Sequence, residues 1–382
     1  QEAEDRIVAA LPYLRYIQNT SSFWGVKIIL SELYDWHQPI DSDNWRRLDS
    51  MIRERSDDRR WQHEILDHLL IRRTGTEIAR RENGEDDNRL QYALEWGFFT
   101  RCQWGEFDTA LYELERCWGK APESPSPIGT GPRPRTDRSI QTLSDVHEAV
   151  GHYVSSIPYD RILSTATHIS TDLDFRLVDD DEMAAALDRR ADAGCHERDI
   201  FASYINEAFL TALENRHEKI VLQFSFGAEP LPYETGSRLA QHTVAQLGEM
   251  VGRHAKLRFQ CFLASRHANQ SLCTLARELP NLSLAGYWWH NFFPDVMEQV
   301  IAERLDMLPI SKQIGFFSDA YCLEWTYAKM IMVRKQLARA LARRVDQGQY
   351  THEDAMAVAP ATPPFSASNL RASWVLLRGC SK

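Results

Sequence analysis

Apolar residues recur at helical spacing from Gln1 to about Arg60, as in Ile7, Leu11, Leu14 and Ile17, and the polar run 41–44 offers a helix cap just before Trp45. This stretch predicts helices. Further along, short apolar runs alternate with longer amphipathic stretches, the pattern of β/α units feeding a parallel sheet. The expected strands are Arg161–Thr167, Ile220–Phe226, Leu257–Leu263, Leu282–Tyr287 and Ile314–Phe317, with two weaker runs, Leu69–Ile78 and Arg89–Phe99, ahead of them. Between them lie the expected helices Asp199–Asn215, Ser237–His254, Gln270–Glu278 and Pro294–Asp306. Glu82–Asn88 is a charged loop, and Lys120–Arg138 is rich in Pro, Gly and Ser and reads as an exposed excursion. Three regions follow: helical 1–66, β/α 67–358 and an irregular tail 359–382.

Composition supports a packed interior, with 43% hydrophobic residues, 26% charged and 11 Trp in 382 residues. Lys plus Arg number 44 against 54 Asp plus Glu, a formal charge of -10, so nucleic acid is not an expected partner. The seven cysteines are odd in number and scattered, which fits a reducing cytoplasm better than a disulfide scaffold. No stretch approaches the roughly 20 apolar residues of a membrane span, and no leader pattern opens the chain, so neither membrane nor export is expected.

Reacting groups of a (β/α)₈ barrel sit at the C-terminal ends of its strands. Each later strand here ends in something polar: Thr167-His168-Ile169-Ser170, Ser265-Arg266-His267, Tyr287-Trp288-Trp289-His290-Asn291, and Ser318-Asp319 followed by Tyr321 and Glu324. Imidazole and carboxylate can ligate a divalent ion or carry a proton. A single polar residue there more often makes a cap or a loop salt bridge; four at one end of a sheet point to a site. His147-Glu148 with His152 is not a zinc-protease helix, because histidines five apart lie about 140° around the helix from each other. No glycine-rich phosphate loop or nucleophile elbow occurs. Lys335, Arg339 and Arg343 are spaced as one solvated stripe.

Three segments, in order, resemble the uronate isomerase (glucuronate isomerase) family of the amidohydrolase superfamily. The first runs from Gly286-Tyr287-Trp288-Trp289 through Gly315-Phe316-Phe317-Ser318-Asp319 to Gly348-Gln349-Tyr350. The second is Thr167-His168-Ile169-Ser170-Thr171-Asp172 with the acidic Asp179-Asp180-Asp181-Glu182, and the third is Val221 to Ala228. The resemblance covers Asp145 to about Val358. It implies a (β/α)₈ TIM barrel of amidohydrolase type, with the N-terminal helices as an insertion and the first strand ahead of Gln1. It implies aldose–ketose isomerisation of a hexuronate through an enediol, at a site holding a divalent metal, zinc by analogy. Asp319 would carry the proton and touch the metal, other ligands lying upstream of Gln1. His168 and Tyr321 join Asp319 as catalytic candidates, and Arg266, Trp288, Trp289 and His290 as substrate-binding ones. The expected partner is a small sugar acid, and a homo-oligomer is compatible with this reading.

This sequence departs from the family pattern at several places. It contains no His-x-His pair; the strand-five His position holds Ser225, the strand-five loop Arg position holds Pro230, and the Arg expected two residues beyond the strand-eight Asp is Tyr321. Two other readings therefore stay open at this point. One is a hydrolase or lyase on another sugar acid, with Tyr321 or His290 moving the proton; the other is a sugar-acid-binding protein that has lost its chemistry.

Overall fold

The computed structural model describes residues 3–56, 58–71, 74–77, 90–95, 109–119, 138–159, 162–168, 176–216, 220–230, 237–239, 244–316, 318–320, 322–361 and 376–377. In chain order these form helices α1 (Ala3–Ala10), α2 (Ser21–Ile28), α3 (Trp45–Ser56) and α4 (Arg59–His68), then strands β1 (Thr74–Glu77) and β2 (Leu90–Glu95). Helices α5 (Thr109–Trp118) and α6 (Leu143–Ser156), strand β3 (Ile162–His168), and helices α7 (Asp180–Asp188) and α8 (Cys195–Arg216) follow. Next come β4 (Val221–Phe226), β5 (Ala228–Pro230), β6 (Ser237–Leu239), α9 (Val244–Arg253), β7 (Arg258–Leu263), α10 (Asn269–Glu278) and β8 (Leu282–Ala285). The last elements are α11 (Pro294–Met307), β9 (Gln313–Ile314), α12 (Leu323–Asp346), α13 (His352–Ala361) and β10 (Leu376–Leu377).

Every expected strand overlaps an observed one. The expected helix Ser237–His254 does not survive intact: residues 237–239 pair antiparallel with 228–230, so the helix begins only at Val244. Likewise the tail is not wholly irregular, since α13 runs to Ala361 and β10 pairs in parallel with β1, Gly75 opposite Leu376. The loops expected at 82–88 and 120–137 lie outside the described residues.

The chain divides into two compact units, one made of Gln1–Leu90 with Ala285–Lys382 and the other of Gln91–Leu284. In the contiguous unit β2, β3, β4 and β7 lie side by side, all parallel. The fold is thus α/β with a parallel sheet. Among the described strands no pairing joins the first and last members of the sheet order, so the described sheet is open. One sheet face is apolar, with Phe224 stacked on Phe259 at 5.7 Å. The other carries a buried polar ladder in which Ser164 Oγ donates to Gln223 Oε1 (3.3 Å) and Gln223 Nε2 to Gln260 Oε1 (2.8 Å). A one-residue slip of β4 would carry Gln223 to the apolar face and strand its amide there, so the ladder fixes register.

Helices flank this sheet segment for local reasons. A capping box, Thr142 with Asp145, starts α6. Nearly the whole circumference of α8 is buried over residues 200–206, and Tyr153 of α6 meets Phe209 of α8 edge-on at 5.7 Å. The buried carboxylate of Glu115 takes Arg190 through both oxygens (2.6 and 3.0 Å) and the Ile140 N–H (2.7 Å), which ties the turn after α7 to the approach to α6.

The other unit is built around α12. Its buried residues Tyr327, Met330, Val333, Leu337 and Leu341 share one core cluster with Ile28, Trp36, Leu66 and Leu69 of the N-terminal region. Gly25 marks the closest approach, because a Cβ there would come within 2.6 Å of the Trp325 ring. Lys335, Arg339 and Arg343 are exposed, as their spacing predicts. At the C-terminus of α12, Gln349 N bonds Arg344 O and Gly348 N bonds Val345 O, with Gly348 left-handed at φ +71°. The end of α4 makes the same pair of bonds, Ile71 N to Leu66 O and Leu70 N to Asp67 O, but its left-handed residue is the exposed Leu70 at φ +59°.

Candidate active site

Within the unit built from both chain ends, two strand exits lie together, since Gly286 N donates to Ile314 O at 2.7 Å. Past Ala285 the chain runs through Gly286 and Tyr287 to Trp288, which is 1% exposed, then turns into a short 3₁₀ segment, Trp289–Phe292. Trp289 is left-handed at φ +53°, and its ring meets that of Trp288 edge-on at 5.1 Å. Past Ile314 the chain reaches buried Ser318 and then Asp319, also left-handed at φ +42°. A left-handed non-glycine costs on the order of 1–2 kcal/mol, less for Asp than for bulkier residues, and persists where its surroundings fix it.

Those surroundings are visible. Trp288 Nε1 donates to Asp319 Oδ2 at 2.7 Å, the short distance of a charge-assisted bond. Lys329, the seventh residue of α12, donates from Nζ to Ser318 O (2.5 Å) and Asp319 O (3.2 Å), and its ammonium lies over the Phe292 ring at 4.8 Å. Under the neighbouring exit Arg304, 1% exposed, donates to Ala285 O (3.1 Å) and Gly286 O (3.3 Å) and sits 5.6 Å from the Tyr287 ring centre. Burial pushes the Tyr287 hydroxyl up to about 12, against the opposing pull of Arg304.

Beside this corner, at the start of α12, the Glu324 carboxylate accepts Tyr34 O–H and Trp61 Nε1–H, both at 3.1 Å, while Arg55 lies 4.1 Å from the Trp61 ring centre. Burial and then the charge of Glu324 raise the Tyr34 hydroxyl well above its usual range. Burial also pushes the Cys322 thiol up to about 11, and the charge of Glu324 adds to this.

Asp319, Trp288 and Trp289 are therefore brought together as a set. In the contiguous unit, His168 ends β3 directly opposite Ser225 of β4 in the register. Arg266 opens a 3₁₀ turn just past β7 and is exposed. Pro230 belongs to the β5–β6 hairpin, opposite Ser237. His290 lies in the 3₁₀ turn after Trp288 with its side chain outside the described residues, and Tyr321 lies outside them altogether. Of the His147 and His152 pair, His147 has a structural contact: its Nε2 meets Tyr204 O–H at 3.2 Å, and Tyr204 donates to Asp180 at 2.8 Å.

Among the described residues no three His, Cys, Asp or Glu side chains gather where they could hold a metal ion.

The chain resembles solved uronate isomerases over nearly all of its length. That from Thermotoga maritima superposes with a TM-score of 0.76 at 12% identity, covering 97% of this chain and 83% of that one. The glucuronate isomerase from Caulobacter crescentus gives 0.74 at 14% identity over 94% and 76%, and the uronate isomerase from Bacillus halodurans C-125 gives 0.65 at 15% over 93% and 77%. No sequence-family model and no curated protein matches. The fold is uronate isomerase-like. Among the described residues no helix is long and apolar enough to cross a membrane.

Proposed function

We propose that this protein is a sugar-acid isomerase that interconverts an aldose hexuronate and its keto sugar, with Asp319 as the proton-carrying carboxylate. The observation that carries this reading is the Trp288–Asp319 pair at adjacent strand exits in a uronate isomerase-like fold. With this reading go catalytic roles for His168 and Tyr321 beside Asp319, substrate-binding roles for Arg266, Trp288, Trp289 and His290, and a closed (β/α)₈ barrel of amidohydrolase type.

In this mechanism the open-chain aldehyde loses its C2 proton to the Asp319 carboxylate, the electron pair forming the C1–C2 double bond of an enediol as O1 takes up a proton from water. The O2 proton then passes to the hydroxide so formed as the C2 carbonyl forms, and Asp319 returns its proton to C1. No atom is gained or lost. The indole N–H of Trp288 holds the carboxylate in one orientation, and the edge-on Trp289 presents an apolar face to carbon-bound hydrogens.

The test is turnover of glucuronate and galacturonate, with proton exchange at the migrating position followed in deuterated water. Asp319→Asn is expected to abolish turnover with little change in melting temperature, because the amide oxygen still accepts from Trp288. Absence of turnover on any hexuronate by the unmodified protein sinks the reading, and a collapse of stability in Asp319→Asn would assign Asp319 to structure alone.

A further inference from the structure

We propose that Lys329 is the positioning residue for Asp319, acting through the main chain; this rests on the reading of Asp319 as the reacting carboxylate. The carbonyl of Ser318 belongs to the peptide plane before the Asp319 Cα, and the carbonyl of Asp319 to the plane after it. Fixing both planes fixes φ and ψ at that residue, and hence the direction of its Cα–Cβ bond. Lys329 Nζ bonds both carbonyls, at 2.5 and 3.2 Å, and the residue between those planes stands at φ +42°.

The same ammonium lies 4.8 Å from the ring centre of Phe292, the last residue of the 3₁₀ turn that begins next to Trp288. One cation thus touches the segment that presents the acceptor carboxylate and the segment that presents its indole donor. An ammonium suits this task, because three donors on a flexible stem can reach two divergent carbonyls where a planar guanidinium would favour parallel ones. Removal of the charge leaves the left-handed turn held by less and lets Asp319 relax toward an ordinary conformation, moving its carboxylate away from Trp288 Nε1.

The experiment reads the Trp288 indole N–H resonance in a ¹H–¹⁵N spectrum, assigned by its disappearance in Trp288→Phe, beside steady-state kinetics. Lys329→Met is expected to shift that resonance in the direction Asp319→Ala does, and to lower kcat about 10–100-fold while KM stays within about threefold. Lys329→Arg, which keeps a cation, is expected to restore the resonance at least partly. Should Lys329→Met not fold, Lys329→Gln, which keeps a donor without the charge, takes its place with the same expectation. An unmoved Trp288 resonance in a folded Lys329→Met or Lys329→Gln protein overturns the proposal. A shifted resonance in a protein without hexuronate turnover supports Lys329 as the residue that positions Asp319 and locates the failure in the proposed reaction instead.

Discussion

The exits of β8 and β9 are built alike, yet they hold different things. In each, the helix that follows the strand sends a long cationic side chain back to two consecutive main-chain carbonyls: Arg304 of α11 to Ala285 and Gly286, Lys329 of α12 to Ser318 and Asp319. Arg304 is 1% exposed, and its own carbonyl accepts from Gln313, so it is woven into the interior. Lys329 is only partly buried and clamps a residue whose backbone is strained. The same device thus closes a strand end in one place and aims a carboxylate in the other.

That difference can be broken experimentally, beginning with stability. Arg304→Met leaves two buried carbonyls without their donor, at about 1–3 kcal/mol each, so denaturant titration is expected to show a loss of about 2–6 kcal/mol, well beyond that of Lys329→Met. Equal losses would erase the distinction. Trp288→Phe removes the charge-assisted bond to Asp319 but keeps most of the ring packing; the expected loss is about 1.5–3 kcal/mol by the same titration.

Alkaline pH sharpens the comparison differently. Tyr287 beside Arg304 is pushed up to about 12 by burial, and Tyr327 on α12 to about 12 by burial and then its bond to Glu32. Both folded values lie above the ordinary 10.0, so the stability they contribute is complete below pH 10 and is lost as pH rises through 10 toward 12. Melting temperature against pH is expected to fall less steeply in that window for Tyr287→Phe and for Tyr327→Phe; a limb unchanged in either variant removes that tyrosine from the explanation. The smallest effect belongs away from both exits, where strain serves no carboxylate. Leu70→Gly gives α4 the left-handed glycine that α12 already has in Gly348, and is expected to raise stability by about 0.5–1.5 kcal/mol. A loss there would mean that the Leu70 side chain, 71% exposed, packs to some purpose.

The strands and most helices were legible because burial imposes a period on the sequence. The segment from Ser237 misled because Leu239, Val244, Leu247 and Val251 carry apolar side chains through a helical register, while the pairing that makes 237–239 a strand comes from residues 228–230. Asp319 and Trp288 stood out as site candidates through the order of motifs in the resembling segments. Their hydrogen bond was not, since it joins positions 31 apart and depends on left-handed backbone at two non-glycine residues, Trp289 and Asp319. Lys329 and Arg304 left no signal: each is one cation among many on an amphipathic helix, and only the return of that helix over its own strand gives it carbonyls to bind.

The unit drawn from both chain ends also sets an order of events during synthesis. Residues 91–284 form a contiguous unit whose interior partners emerge from the ribosome within one stretch. Ile28, Trp36, Leu66 and Leu69 have their partners on α12, which follows more than two hundred residues later. At about 5–20 residues per second that is a delay on the order of ten to sixty seconds. Through that interval the nascent chain carries a greasy, half-made helical layer, so α2 and α4 are made well before the helix that completes their packing.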